Sequence, residues 1–144
     1  MASVAEIEGN KKTYKILTSN MKIIKTENAP QAIGPYSQAV VSGNLLFCSG
    51  QIPLKPDGTL LDADVAEQTR QVMNNLQEVL KAGGSDFAKV IKCTIFLTDM
   101  ADFAVVNDVY GAYFDGENKP ARATVGVASL PRGVKVEIDC LAEL

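Results

Sequence analysis

Residues 64–98 of the chain are DVAEQTRQVMNNLQEVLKAGGSDFAKVIKCTIFLT, a helical pattern followed by a strand pattern, and this order decides the fold. In Asp64–Ala82, apolar side chains recur at helical spacing, which predicts one helix with a single buried stripe. Gly83-Gly84 ends that helix. Lys89–Thr98 is rich in valine, isoleucine, cysteine and phenylalanine, which favours a central strand.

Shorter patterns on both sides of this segment predict five more strands and a second helix. The strands are Met21–Lys25, Ser37–Val41, Asn44–Cys48, Arg122–Ala128 and Val134–Glu143, and the helix is Asp102–Phe114 with Phe103, Val106, Tyr110 and Phe114 facing inward. Gly43-Asn44, between two apolar runs, indicates a hairpin turn. The order is therefore β-β-β-α-β-α-β-β, which predicts an α+β fold with two helices on one face of a mixed β-sheet.

The predicted strand Lys89–Thr98 is apolar on both faces. Ile91, Cys93, Ile95 and Leu97 alternate with Val90 and Phe96. Two helices cover only one face of the sheet, so the second apolar face needs another cover. Copies of the same chain can supply it, and we therefore predict a homo-oligomer.

The chain has 144 residues, enough for one domain with a core of its own. That domain is predicted to cover residues 21–144, and residues 1–20 form a polar N-terminal extension without an assigned role. The extension lacks the apolar stretch of a secretory signal, and its two glutamates fit a transit peptide poorly. No apolar run approaches the ~18–20 residues that span a bilayer. A cytoplasmic location is expected, with mitochondrion or plastid as alternatives.

Composition argues against several classes of function. The formal net charge is −3 and the isoelectric point is near 4.9, so nucleic acid is a poor expectation because phosphate contacts dominate that affinity. The chain has no histidine, which argues against hydrolases with a histidine base. Cys48, Cys93 and Cys140 are widely spaced, so we expect reduced thiols and no zinc site. No metal or cofactor is predicted.

Arg122 is the first candidate site residue. It stands in Lys119-Pro120-Ala121-Arg122-Ala123-Thr124-Val125, at the entrance of a predicted strand, and the chain has only two other arginines. A guanidinium can hold a carboxylate through two parallel hydrogen bonds, which a lysine cannot reproduce. Considered alone, this arginine is better explained by an exposed or ion-paired position, since charged residues are mostly at the surface.

Four further polar residues are candidates by position. Tyr36 follows a loop with two prolines and a glycine, and this restricted backbone would fix its phenol at a strand entrance. Ser49 precedes a glycine at a strand end, where a hydroxyl can face a ligand. Glu137 lies on the polar face of the last strand and Asn107 on the second helix. A core, interface or solvated position is the alternative for each, because none of these signals is specific alone.

Together these segments resemble a known family. The motifs are NAPQAIGPYSQA at 28–39, SGQIP at 49–53, Asn74 and Leu76 in the long helix, PAR at 120–122 and KVEIDCLA at 135–142. Their order and distances are similar to those of the reactive intermediate deaminase family, whose members are also called RidA, YjgF-like or L-PSP proteins. The resemblance covers residues 21–144 and leaves the extension outside it.

The resemblance implies a chorismate-mutase-like fold that assembles into a homotrimer with clefts between neighbouring subunits. It also implies a 2-iminobutanoate/2-iminopropanoate deaminase, which hydrolyses reactive 2-imino and 2-enamino acids to 2-oxo acids and ammonia. In this pattern Arg122 would grip the substrate carboxylate and Glu137 would position the attacking water. Tyr36 and Ser49 would line the cleft, and Asn107 would support the site.

Thr124 departs from the family pattern, because many bacterial relatives have a cysteine there. A thiol role is therefore in doubt, although the backbone of Thr124 could still hold water or substrate. The reaction itself needs little: an imine carbon is already electrophilic, so orientation and one proton transfer are sufficient. Arginine, tyrosine, serine and glutamate can provide both.

Two alternatives to the deaminase remain open. One is an endoribonuclease, a label that some family members carry, although the acidic chain lacks a basic and aromatic surface. The other is a non-catalytic module that binds small carboxylates or acts like a chaperone through the same clefts. A carboxylate-gripping arginine serves binding as well as catalysis, so the sequence does not separate these functions.

Overall fold

The computed structural model describes residues 21–144 in full and, within the first twenty residues, only the backbone of two strands. These strands, β1 (Val4–Gly9) and β2 (Lys12–Leu17), pair in an antiparallel hairpin. The polar sequence of this segment predicts no strand there, because it lacks the apolar alternation of a half-buried strand. The boundary between extension and domain at residues 20 and 21 stays a prediction.

Residues 21–144 form six strands, two α-helices and three short 3-10 turns. The strands are β3 (Lys22–Ile24), β4 (Ala39–Ser42), β5 (Leu45–Gln51), β6 (Val90–Leu97), β7 (Ala121–Gly126) and β8 (Val136–Glu143), the helices are α1 (Val65–Ala82) and α2 (Phe103–Gly111), and the turns are Phe87–Lys89, Met100–Asp102 and Pro131–Gly133. Apart from the turns, they follow the order β-β-β-α-β-α-β-β along this part of the chain.

The six strands form one sheet in the order β3-β4-β5-β8-β6-β7. Strands β6 and β7 run parallel and all other neighbours run antiparallel, so the predicted mixed sheet is confirmed. The β4–β5 hairpin turns at Gly43 and Asn44, with Gly43 in the left-handed region at a φ of 62°. The last strand of the chain, β8, lies in the middle of the sheet, between β5 and β6.

The core lies between one face of the sheet and the two helices. Helix α1 begins after Asp64, whose side chain accepts the Glu67 N–H at 2.9 Å. It ends at Gly83, where a Cβ would overlap with Leu46 of β5, so this close helix end needs a glycine. The core between the sheet and the helices contains fully buried side chains from both layers: Leu46, Val72, Met73, Leu76, Leu80, Ile95, Leu97, Val106, Val136 and Ile138.

The opposite face of the sheet carries apolar side chains that no described residue covers. Ile23, Phe47 and Val125 project from this face and are 54%, 48% and 42% exposed. Exposed apolar side chains gathered on one face are typical of a surface that meets another protein. The predicted uncovered face is therefore present, whereas the assembly itself stays a prediction.

Two predicted side-chain placements are wrong. The alternation of the strand puts Ile91 on one face with Cys93, Ile95 and Leu97, opposite Val90. Ile91 is exposed and Val90 is buried, because the pairing of β6 with β8 shifts between Val90 and Lys92 and reverses the alternation at the strand start. Phe103 of α2 is 38% exposed, and its ring faces the guanidinium of Arg122 instead of joining the core. Among the described residues, no helix combines the length and the hydropathy required to cross a membrane.

Candidate functional site

The six predicted site residues lie in two groups that are separated by the sheet. We call Arg122, Thr124 and Asn107 the arginine half-site. Glu137, Ser49 and Tyr36, together with Gly50, form the glutamate half-site. Each group is built by different elements, and each supplies a different kind of chemistry.

The arginine half-site holds its guanidinium in a defined orientation. Arg122 is exposed on β7, and its Nη1 donates to Oδ1 of Asn107 on α2 at 2.7 Å. Its Cζ also lies 5.8 Å from the ring centroid of Phe103 and 5.1 Å from that of Tyr110, which are cation–π distances. Positions 103, 107 and 110 share one helix face, so α2 presents all three groups to the same cation.

Arg122 has no carboxylate partner within the described part of the chain. The ion pairs found there are Arg70–Glu67 and Lys81–Glu78, both within α1. A guanidinium has five donors, so most of those on Arg122 remain available to an anion. A pocket of about 400 Å³ in front of it is also lined by Asn107, Tyr110 and Pro120.

Two residues that accompany Arg122 carry buried hydroxyls: Thr124, two positions along β7, and Tyr110, whose ring faces the guanidinium. The Oγ1 of Thr124 is buried without a hydrogen-bond partner in the described residues, and so is the phenol oxygen of Tyr110. Burial raises the pKa of Tyr110 far above its usual range, and the nearby thiol of Cys93 adds to this effect. The phenol therefore stays neutral, and its ring remains a partner for the cation.

The glutamate half-site centres on a half-buried carboxylate. Glu137 projects from β8, and Gly50 of β5 approaches it so closely that a Cβ on the glycine would overlap with its Oε1. Burial raises the pKa of Glu137, and the negative charge of Asp139 raises it further. A carboxylate with a raised pKa is a better proton acceptor near neutral pH, which is the property a general base needs.

The loop that carries Tyr36 is held in place by hydrogen bonds of the Gln38 side chain. The Gln38 side chain is buried, and its amide nitrogen donates to the carbonyls of Thr26 and Pro30 at 3.0 and 2.8 Å. Its Oε1 accepts the Thr26 N–H at 2.7 Å. One buried amide thus satisfies both ends of the loop, so the segment that leads to Tyr36 has a fixed path.

The tip of this loop positions the phenol of Tyr36. The Tyr36 N–H donates to the Gly34 carbonyl at 2.9 Å, and Gly34 has a φ of 127°, which favours glycine. The phenol oxygen accepts the Ile33 N–H at 3.2 Å, and the ring is exposed. Ser49 Oγ donates to the Ser37 carbonyl at 2.5 Å, so this hydroxyl retains only acceptor capacity toward a ligand.

The two half-sites do not meet within one chain. Arg122 of β7 is in register with Cys93 of β6. Across the next two strands, Cys93 pairs with Cys140 of β8, and Cys140 pairs with Cys48 of β5. Three strand spacings therefore separate Arg122 from β5, or about 14 Å between Cα atoms. Arg122 also shares the helix-covered face with these buried cysteines, whereas Glu137 projects from the other face because side chains alternate along β8.

Three residues that hold the half-sites in place, Phe103, Tyr110 and Gln38, are not among the predicted site residues. The sequence pattern assigns Phe103 and Tyr110 only to the core, although their spacing from Asn107 places all three on one side of α2 and is compatible with a shared role. Gln38 gave no such signal, because its partners are backbone carbonyls of a loop whose path is not predictable. Within residues 21–144, no group of three or more cysteine, aspartate or glutamate side chains is arranged to hold a metal ion.

Comparisons with known proteins agree on one family. The model of the family described as endoribonuclease L-PSP matches residues 26–144. A protein of Myxococcus xanthus called DfrA is 57% identical over 124 residues, which cover 84% of this chain and 94% of the relative. The 2-iminobutanoate/2-iminopropanoate deaminase of mouse is 50% identical over 122 residues, covering 84% of this chain and 90% of its own. A solved Rid-family structure from Yersinia pestis is 47% identical with a TM-score of 0.84, and the match covers 86% of this chain and 99% of that one.

Proposed function

Since this chain belongs to the endoribonuclease L-PSP family, which includes the reactive intermediate deaminases, we propose that it hydrolyses 2-imino and 2-enamino acids to 2-oxo acids and ammonium. The substrates in view are 2-iminobutanoate and 2-iminopropanoate. The observation that carries this proposal is the oriented guanidinium of Arg122, without a carboxylate partner in the described residues. A mammalian relative of 50% identity with that activity in its name supports it.

Arg122 would bind the substrate carboxylate through two parallel hydrogen bonds. Asn107 accepts a hydrogen bond from one nitrogen of the guanidinium, and the rings of Phe103 and Tyr110 lie within cation–π distance of it. A carboxylate docked on the free donors would place the adjacent imine carbon at a set distance from β7. Fixing both reactants in this way can lower a barrier by several kcal/mol.

Glu137 would hold the water that attacks the imine carbon. In the balanced reaction, R–C(=NH2⁺)–COO⁻ and H2O give R–CO–COO⁻ and NH4⁺. The carboxylate of Glu137 accepts one proton from the water as the C–O bond forms and passes it to the amino nitrogen of the carbinolamine. As the C–N bond breaks, the hydroxyl of the carbinolamine gives up its proton to the leaving ammonia, which departs as NH4⁺. The phenol of Tyr36, held by its loop beside Gly50, would line the same space.

A complete site would require two copies of the chain. Arg122 and Glu137 lie on opposite faces of one sheet, so a single chain offers each half-site to a different side. The uncovered apolar face with Ile23, Phe47 and Val125 gives neighbouring copies a surface to bury. We therefore propose a homotrimer in which each cleft combines the arginine half-site of one copy with the glutamate half-site of the next.

The first prediction concerns Arg122→Ala, which removes the carboxylate anchor. Purified protein should speed the release of 2-oxobutanoate when it is coupled to a threonine dehydratase, and the variant should lose this activity by a factor of at least about 100, as expected for a bidentate charged contact. Arg70→Ala is the matched control, since its cation is paired with Glu67 on the surface. Correctly assembled wild-type protein without any rate effect would refute the proposed function.

Binding without turnover is the second candidate, because Arg122 grips a carboxylate equally well in a binding module. Calorimetry with 2-oxobutanoate separates the two functions. Tight binding that Arg122→Ala abolishes, without acceleration of imine hydrolysis, would favour the binding module. Cleavage of RNA that survives purification and disappears in the same variant would favour the endoribonuclease named in the family description.

A further inference from the structure

A cavity of about 230 Å³ opens on the glutamate half-site. Tyr36 and Gly50 line one side of it, and Gly50 stands directly against the carboxylate of Glu137. The cavity therefore begins where the attacking water would be held. One water needs only about 10–15 Å³ of such space, so there is room for a group larger than the ethyl side chain of 2-iminobutanoate.

Most of the cavity wall is carbon, and several of its polar groups are already bonded. Apolar surface comes from Pro30, Ile33, Ile52, Leu54 and Pro131. The amides of Gln31 and Gln38 both donate to backbone carbonyls of the 26–30 segment. A side chain that enters the cavity thus meets mostly apolar walls, the polar side chains of Gln51 and Tyr36, and one cation, Arg132.

The guanidinium of Arg132 has donors to spare. Its Nη1 donates to the Gly58 carbonyl at 3.2 Å, and among residues 21–144 no carboxylate lies within ion-pair distance of it. Of its five donors, the others are available to a ligand. The Arg132 side chain is exposed, so an anion can reach these donors from solution.

The backbone of Arg132 is held in an uncommon conformation. Its φ of 57° and ψ of 21° make it the one non-glycine residue of the described chain in the left-handed region. Glycine or asparagine takes this conformation more readily. A long cationic side chain at such a position is the kind of outlier from which a functional role is inferred.

On the basis of the proposed function, we propose that this cavity receives the side chain of the imino acid and that Arg132 binds a second carboxylate at its end. The favoured substrates are then 2-imino dicarboxylates, the imines of acidic amino acids. The bond changes are those given above, since water adds to the imine carbon and ammonium leaves. A flavin-dependent oxidation of an acidic amino acid is the class of reaction that supplies such an imine, because the flavin takes a hydride from Cα and the amine loses a proton.

The two arginines would have separate tasks. Arg122 would bind the carboxylate next to the imine carbon, which every 2-imino acid carries. Arg132 would bind only a carboxylate at the far end of the side chain. Loss of Arg122 should therefore affect all substrates, whereas loss of Arg132 should change the preference among them.

The test compares the imines of glutamate and norleucine, which an amino-acid oxidase generates in place. Wild-type protein should hydrolyse the glutamate imine with a kcat/KM at least equal to that for the norleucine imine. Arg132→Gln should lower the ratio of these two constants roughly tenfold to a hundredfold, which is the factor that the free energy of a hydrogen bond to a charged group corresponds to. Arg132→Lys should retain part of the preference, and Arg70→Gln should leave the ratio as in wild type.

An unchanged ratio in Arg132→Gln would overturn the inference, and so would a wild-type protein that hydrolyses 2-iminobutanoate but not the glutamate imine. Failure on every imine would instead refute the proposed function. In that case, calorimetry with 2-oxoglutarate and 2-oxohexanoate tests the cavity directly. Tighter binding of 2-oxoglutarate that Arg132→Gln removes would support the role of Arg132, and equal binding of both acids would contradict it.

Discussion

The arginine half-site and the glutamate half-site are built in opposite ways. The first is an exposed cation on the edge strand β7, oriented by side chains from α2. The second is a half-buried carboxylate on the central strand β8, next to a glycine and a loop that the buried Gln38 side chain holds. The exposed half is suited to capture an anion from solution, whereas the enclosed half is suited to tune a proton acceptor. In the proposed reaction, neither half is a complete site without the other.

Glu137→Gln should produce the largest contrast between the halves. It removes the proton acceptor and keeps the shape, so we expect kcat to fall by a factor of about 100 to 10,000, the usual contribution of a positioned general base. Binding of 2-oxobutanoate to Arg122 should change much less. Steady-state kinetics together with calorimetry measures both effects, and an equal loss of binding would mean that the halves are not separate in function.

The same variant should be more stable than wild type at neutral pH. The folded state raises the pKa of Glu137, so the ionised side chain destabilises the fold above that raised pKa. The penalty disappears once the pH falls below the ordinary carboxyl value of about 4.3, where the side chain is protonated in both states. Melting temperatures at pH 7 and pH 4 should show a gain for Glu137→Gln that shrinks at the lower pH.

Phe103→Leu should weaken the arginine half-site by a smaller amount. The leucine keeps apolar contact but removes a ring that faces the guanidinium, and such contacts at exposed sites contribute about 0.5–1 kcal/mol. We expect KM to rise by a factor of about two to five, with kcat nearly unchanged. Tyr113→Leu is a matched control, because that ring packs on Phe87 instead. A large fall in kcat would show that Phe103 does more than orient Arg122.

Asp139→Asn should give the smallest effect, a shift in the pH profile. Asp139 raises the pKa of Glu137, although less than burial does. Asparagine keeps the oxygen that accepts the Thr94 N–H at 3.2 Å and removes the charge. The pKa of Glu137 should fall, so the acid limb of kcat/KM should move to lower pH. A limb that stays in place would mean that another group controls it.

Local patterns predicted much of the fold and little of the site geometry. The stripe of α1 and the Gly43-Asn44 turn are local features, and both lie where the sequence places them. The outward turn of Ile91 depends on a pairing irregularity with β8, a strand far along the chain, so alternation alone gives the wrong face. The relative positions of the site residues also depend on pairing between distant strands, which a local sequence pattern does not contain.

The candidate site shows the same division. Arg122 and Glu137 could be chosen from residue type and motif, and the alternation of β8 already indicates which face Glu137 takes. The face of Arg122 follows from its register with Cys93 across the parallel β6–β7 pair, which no single-segment pattern contains. The separation of the halves therefore became visible only in the folded chain.

Mixing two impaired variants tests whether one site combines two copies of the chain. Arg122→Ala lacks one half-site and Glu137→Gln lacks the other, so each alone should have at most about one hundredth of the wild-type rate. After co-refolding in equal amounts, about a quarter of the clefts should pair the intact half of one variant with the intact half of the other, if neighbours assemble at random. We expect about a quarter of the wild-type rate to return. A mixture as inactive as its components, in oligomers shown to contain both variants, would contradict it.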